Sequence, residues 1–123
     1  MDDSPAPFIV FKPVTPNAYR LALELVGHVH DVLEVADSTR FHLKDRLDRT
    51  TTAIAMALAH LEDDVPSARW RGYRTALERV IDCSTMLDIM ARQGCTALGS
   101  IASAREIVDK LQVELAPLAF RAK

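Results

Sequence analysis

The side chains of this 123-residue chain that could carry chemistry are four histidines, two cysteines and 17 acidic residues. His28 and His30 suggest a metal, but residues two apart on a helix point about 200° away from each other. His42 and His60 are eighteen residues apart on one expected helix, about 27 Å, so they cannot cooperate either. His28 with Asp31 reads as a surface hydrogen bond between i and i+3. Cys83 and Cys95 stand twelve residues apart with no Cys-x-x-Cys pair and no neighbouring His. That is neither a disulfide framework nor a zinc spacing, so both are expected as reduced thiols, and no metal site is expected.

General acid and base work needs two carboxylates, or a carboxylate and a His, converging in a cleft. Asp45 and Asp48 are interleaved with Arg46 and Arg49, while Asp82 and Asp88 stand more than a helical turn apart. Both groups read as solvated ion pairs. Ser84 or Cys83 would need a base from another helix to act as a nucleophile, and no motif supplies one. Glycine-rich phosphate loops are absent as well. The expectation is a protein with no catalytic residues and no cofactor.

Arginine is the remaining charge to weigh. Residues 40–79 hold eight cations, Arg40, Lys44, Arg46, Arg49, Arg69, Arg71, Arg74 and Arg79, against six acids. The excess is small and the signs are mixed. An oligomer would multiply such a stripe, so Arg46, Arg49, Arg69, Arg71 and Arg74 are the contacts expected if the chain holds nucleic acid. A formal charge of −2 and a pI near 6.0 weigh against that alternative.

These side chains must be positioned by helices. Four of the six prolines (Pro5, Pro7, Pro13, Pro16) fall in the first sixteen residues, and only four glycines occur, so the rest of the chain carries few strand-and-turn signals. Residues 1–14, with the apolar run Phe8-Ile9-Val10-Phe11, read as an extended arm that packs on its own domain or on a neighbouring subunit. Thr15-Pro16 is a helix start, followed by Tyr19, Ala22, Leu23, Val26, Val29 or His30, and Leu33 at helical spacing. The capping cluster Asp37-Ser38-Thr39 precedes a second helix marked by Leu43, Leu47, Thr50 or Thr51, Ile54, Leu58 and Leu61. Ser67 is expected to cap a third, through Trp70, Tyr73, Leu77, Val80 or Ile81, Ser84, Leu87 and Ala91, that ends at Gly94. Thr96 or Ser100 opens the fourth, with Ile101, Ala104, Ile107, Val108, Leu111, Leu115 and Leu118 inward and Pro117 kinking or ending it.

Helices on short links describe an all-α, up-down-up-down antiparallel four-helix bundle over residues 15–123. Gly27 lowers the stability of its helix by about 1 kcal/mol unless close packing needs it. Several apolar stripes look wider than one core requires, since Leu21, Leu25, Ala53, Ala55, Met56, Ala57 and Ala59 are added to them. A homo-oligomer is therefore expected. No apolar run approaches the roughly 20 residues that span a bilayer, and the acidic start lacks a signal peptide's basic region, so the expected location is the cytoplasm.

Helices two and three also resemble a small bacterial four-helix bundle family, that of the 23S rRNA intervening-sequence proteins and the accessory variability determinant of diversity-generating retroelements. The family reads Leu-x-x-Gln-Leu-Arg-Arg-Ala-x-x-Ser-Ile-x-x-Asn-Ile-Ala-Glu-Gly on helix two. Here Leu43, Leu47, Arg49, Ile54 and Ala59 fall in register, with Asp48 in place of the first Arg and Ala57 in place of the Asn. On helix three, Trp70, Tyr73, Ala76, Asp82-Cys83, Met86-Leu87-Asp88 and Gly94 follow the pattern, with Glu78-Arg79 where the family has Gly-Ser. The resemblance covers most of residues 8–118. It implies a homopentameric ring acting as an assembly or adaptor protein, which in some members binds nucleic acid and a reverse transcriptase. With Arg49 retained and Asp82 standing as a shortened form of the family's acid, it also leads to an expected, partly buried Arg49–Asp82 ion pair fixing the register of helices two and three.

Overall fold

Pro16 opens the first helix of the structure, a computed structural model that describes residues 12–36, 41–94 and 98–120. Helices α1 (Pro16–Val35), α2 (Phe41–Ala59), α3 (Arg69–Gln93) and α4 (Leu98–Ala119) follow in order, with two 3-10 turns, His60–Asp63 and Pro66–Ala68, between α2 and α3. No strand occurs among the described residues. Each helix packs on its neighbours in sequence, and α4 closes back onto α1. This is the up-down-up-down four-helix bundle expected from the hydrophobic periodicity. The Phe8–Phe11 run of the arm, the Asp37-Ser38-Thr39 cluster, Cys95 and Thr96 lie outside the described residues.

Each helix gives one stripe to a shared core. On α2 the stripe is Leu47, Thr51, Ile54 and Leu58, and on α4 it is Ile101, Ala104, Ile107, Val108, Leu111 and Leu115, as the spacing predicts. Thr51, the one buried polar residue among those described, is satisfied because its hydroxyl donates to the Asp48 carbonyl at 3.0 Å. On α3 the stripe runs through Tyr73, Ala76, Leu77, Val80, Cys83, Met86, Leu87 and Met90, so that of the two expected alternatives Val80 faces the core and Ile81 faces outward.

The α1 stripe differs from the expected one. Ala18, Leu21, Ala22, Leu25, Val29 and Val32 are buried, whereas Leu23 is 49% exposed. Tyr19, Val26 and Leu33 fall on the flanks, only partly buried. Both stripes have helical spacing in an Ala- and Leu-rich segment, and the one with more apolar side chains per turn faces the core. Leu21 and Leu25, taken from sequence as surplus to the bundle, are part of its centre.

The helix ends show which signals were local. Thr15 stands at the N-cap of α1, and its carbonyl accepts from the Tyr19 N–H at 2.9 Å. Its hydroxyl makes no capping bond and is buried without a partner. Ser67 does not cap α3, because it lies inside the Pro66–Ala68 turn and Ala68 holds that position. Gly94 ends α3 in the left-handed conformation, φ +66°, with its N–H directed at the carbonyls of Ala91 and Met90. Pro117 does not stop α4, which continues to Ala119. It lies in the last turn, where it removes only one intrahelical bond. At the start of α3, a Cβ on Gly72 would come within 2.5 Å of Leu61 Cδ2, so glycine lets the 3-10 turn close onto the helix.

Gly27 has no such role within the chain. A Cβ built there meets nothing within 4 Å. Gly27→Ala should raise stability by about 0.5–1 kcal/mol, read as a higher thermal midpoint with unchanged helix content. A lower midpoint would mean that another surface approaches α1 at that point.

Candidate functional site

The α2 core stripe decides where its charged residues go. With Leu47 inward, Arg46, Thr50 and Ala53 lie on the flank toward α3, and Arg79 of α3 meets them there. Asp45, Arg46, Arg49, Thr50, Ala53 and Arg79 line a solvent-open groove of about 450 Å³ between the two helices. Three guanidinium groups face one carboxylate. The carboxylate, Asp45, is bonded to Arg49 at 2.9 Å. The Thr50 hydroxyl donates to the Arg46 carbonyl at 2.7 Å, which leaves the hydroxyl oxygen's lone pairs to accept. Among the described residues, neither Arg46 nor Arg79 has an ion-pair partner.

The expected Arg49–Asp82 pair is not formed. Arg49 lies about 200° around the helix from Leu47. Its side chain is 77% exposed, and its partner is Asp45 one turn back on the same helix. Asp82 is exposed on α3. An exposed i, i+4 pair of this kind contributes at most about 0.5 kcal/mol and fixes no register. The inter-helix pair joins α3 to α4 instead, where Arg105 Nη1 donates to Asp88 Oδ1. Arg105 Nε is buried and lies 3.8 Å from Asp109. The sequence held a signal for this pair, since Arg105 directly follows the core residue Ala104 and is one of only two cations on α4.

The five arginines named for nucleic acid do not form one face. Arg46 and Arg49 share the groove, and the sequence reading omitted its third member, Arg79. Arg69 Nε donates to the Leu61 carbonyl at 3.0 Å and ties the 3-10 turn to the start of α3. The Arg71 guanidinium lies 5.6 Å from the centroid of the Trp70 ring, and that of Arg74 lies 5.2 Å from that of Phe120. Those three belong to the first turns of α3, about 7 to 15 Å along its axis from Arg79.

Cys83 is fully buried in the core stripe of α3. Burial pushes its thiol up to about 12; the Arg105 charge pulls it down and Asp82 pushes it further up, but loss of water dominates. The folded thiol therefore stays neutral above the range where an unfolded one ionises. Its contribution to stability is complete below about pH 9 and is lost as pH rises toward about 12. In a Cys95→Ser background at pH 8, Cys83 should react with a disulfide reagent about 1000-fold more slowly folded than unfolded. Equal rates in the two states would contradict its burial. His30 Nε2 lies 3.8 Å from Glu34 on the exposed face of α1. Among the described residues, no three His, Cys, Asp or Glu side chains gather as metal donors.

Apolar side chains also face outward. On α3, Ile81 (46% exposed) and Ile89 (39%) stand eight residues apart with Thr85 between them, one ridge along the solvent side. Met56 on α2 and Val113 on α4 are exposed as well. No helix among the described residues is long and apolar enough to cross a membrane. Neither a protein-family model nor a curated protein matches this chain.

Proposed function

We propose that this chain is a non-catalytic assembly or adaptor protein of the cytoplasm that works as a homo-oligomer, with a pentamer favoured. The observation that carries this reading is the outward ridge of α3. Scattered exposed apolar residues are ordinary on a monomer. Ile81 and Ile89 are different in being aligned two turns apart on the longest helix, where a second subunit's helix could cover both at once. A ring uses unlike surfaces on its two sides, so the ridge of one protomer would meet a different helix face of the next. Gly27, open on the surface of α1, is a place where such a face can approach closely.

The buried thiol of Cys83 suits a reducing compartment, and the resemblance of helices two and three to the pentameric bundle family sets the favoured number of subunits. Sedimentation velocity over a dilution series tests the reading. A species several times heavier than the 13.6 kDa chain, persisting to low micromolar concentration, is the expected result. A single 13.6 kDa species at every concentration would remove it.

A further inference from the structure

The arginine groove between α2 and α3 has no part in the subunit contacts proposed above. Its chemistry is distinctive because Arg46 and Arg79 come from different helices and are brought to one concavity with no carboxylate in ion-pair distance of either among the described residues. Asp45 answers only Arg49 and holds that guanidinium at the rim. The residues lining the groove thus carry a net charge of about +2, with Ala53 and Thr50 beside the charged groups. Guanidinium groups stay charged at any physiological pH, and their planar fork matches a pair of phosphate oxygens. Like charges that line one groove repel, so an anion placed between them is favoured.

The geometry points to a binding site for a compact, multiply charged phosphate ligand, a pyrophosphate or nucleoside polyphosphate, clamped between Arg46 and Arg79 with Arg49 at the entrance. The placement of the other arginines selects a compact ligand over a nucleic-acid strand. A strand would need cations continuing along the same face, and the next arginine on α3, Arg74, lies about 140° around the helix from Arg79, against Phe120. The Thr50 hydroxyl, whose proton is committed to the Arg46 carbonyl, can accept from a ligand hydroxyl and would distinguish a sugar-bearing phosphate from a bare one.

Titration calorimetry of the full chain with pyrophosphate, in magnesium-free buffer at about 50 mM salt, tests the site. Saturable binding with a dissociation constant near or below about 0.1 mM is expected, weakening steeply as salt rises. Arg46→Gln and Arg79→Gln should each weaken it by about tenfold or more, while Arg92→Gln, exposed at the far end of α3, should leave it within about twofold. Thermal melts of all three variants report that the fold is intact. Adenosine triphosphate should compete with pyrophosphate for the same site. No pyrophosphate binding at about 5 mM would overturn the proposal. So would wild-type affinity in both Arg46→Gln and Arg79→Gln. A single-stranded RNA oligonucleotide that binds through these arginines and that pyrophosphate cannot displace would also overturn it, in favour of a strand.

Discussion

Leu111→Ala should lower the free energy of unfolding by about 3 kcal/mol and the thermal midpoint by about 10 °C. Leu111 is fully buried at mid-length in α4, which packs on both α1 and α3. Truncation removes three carbons from an interior as dense as an organic crystal, and helices locked on two sides cannot collapse into the gap. A domain of this size has roughly 5–15 kcal/mol in total, so the loss is a large fraction of it. Val113→Ala is the internal control. It sits two residues on, about 200° around the same helix, with 74% of its surface exposed. Its substitution should change stability by no more than about 0.5 kcal/mol. Equal midpoints for the two variants in a denaturant or thermal melt would mean that α4 presents another face to the core.

The second large effect concerns assembly. Ile81→Glu combined with Ile89→Glu should leave the helical signal and melting of the isolated bundle nearly unchanged, because both side chains already face outward and Glu is at least as good a helix former as Ile. If the α3 ridge is covered by a neighbouring subunit, the same pair of changes puts two unpaired carboxylates into each contact. Truncating or charging a covered site of this kind costs several kcal/mol, so the dissociation constant should rise by about 1000-fold or more. Free protomers with an intact circular dichroism spectrum are the expected outcome. An undisturbed oligomer would locate the contacts on another face.

The two effects separate the parts of the molecule that sequence periodicity could and could not reach. The cores of α2 and α4 follow directly from spacing, because Leu47, Ile54 and Leu58, or Ala104, Val108, Leu111 and Leu115, fall on one helical face of each segment. The α1 segment offers two stripes of the same period, and the choice between them depends on how many apolar groups each one buries. The end of α3 was equally legible at Gly94, where backbone conformation demands glycine. The start was not, because Pro66 turns Ser67 into the middle of a 3-10 turn rather than a cap.

The site residues were harder to read for a related reason. An ion pair between helices requires the rotation of both, and an error of one residue on either moves a side chain by about 100°. Arg49 was placed by analogy of position, and the rotation of α2 turns it to solvent with Asp45. Arg105 could have been placed by its adjacency to Ala104, and it makes an inter-helix bond between α3 and α4 where the expected Arg49–Asp82 pair would have joined α2 and α3. The groove depends on both rotations together, since Arg46 and Arg79 are 33 positions apart and only the packing of α2 on α3 unites them.

The mass of the particle in solution tests the central claim most directly. Multi-angle light scattering of the full chain at near-neutral pH and moderate salt should give a discrete multiple of 13.6 kDa, with about five chains favoured. A mass of 13.6 kDa at concentrations of about 100 µM would contradict the account, since a ridge that stays uncovered there is a surface feature and not an interface.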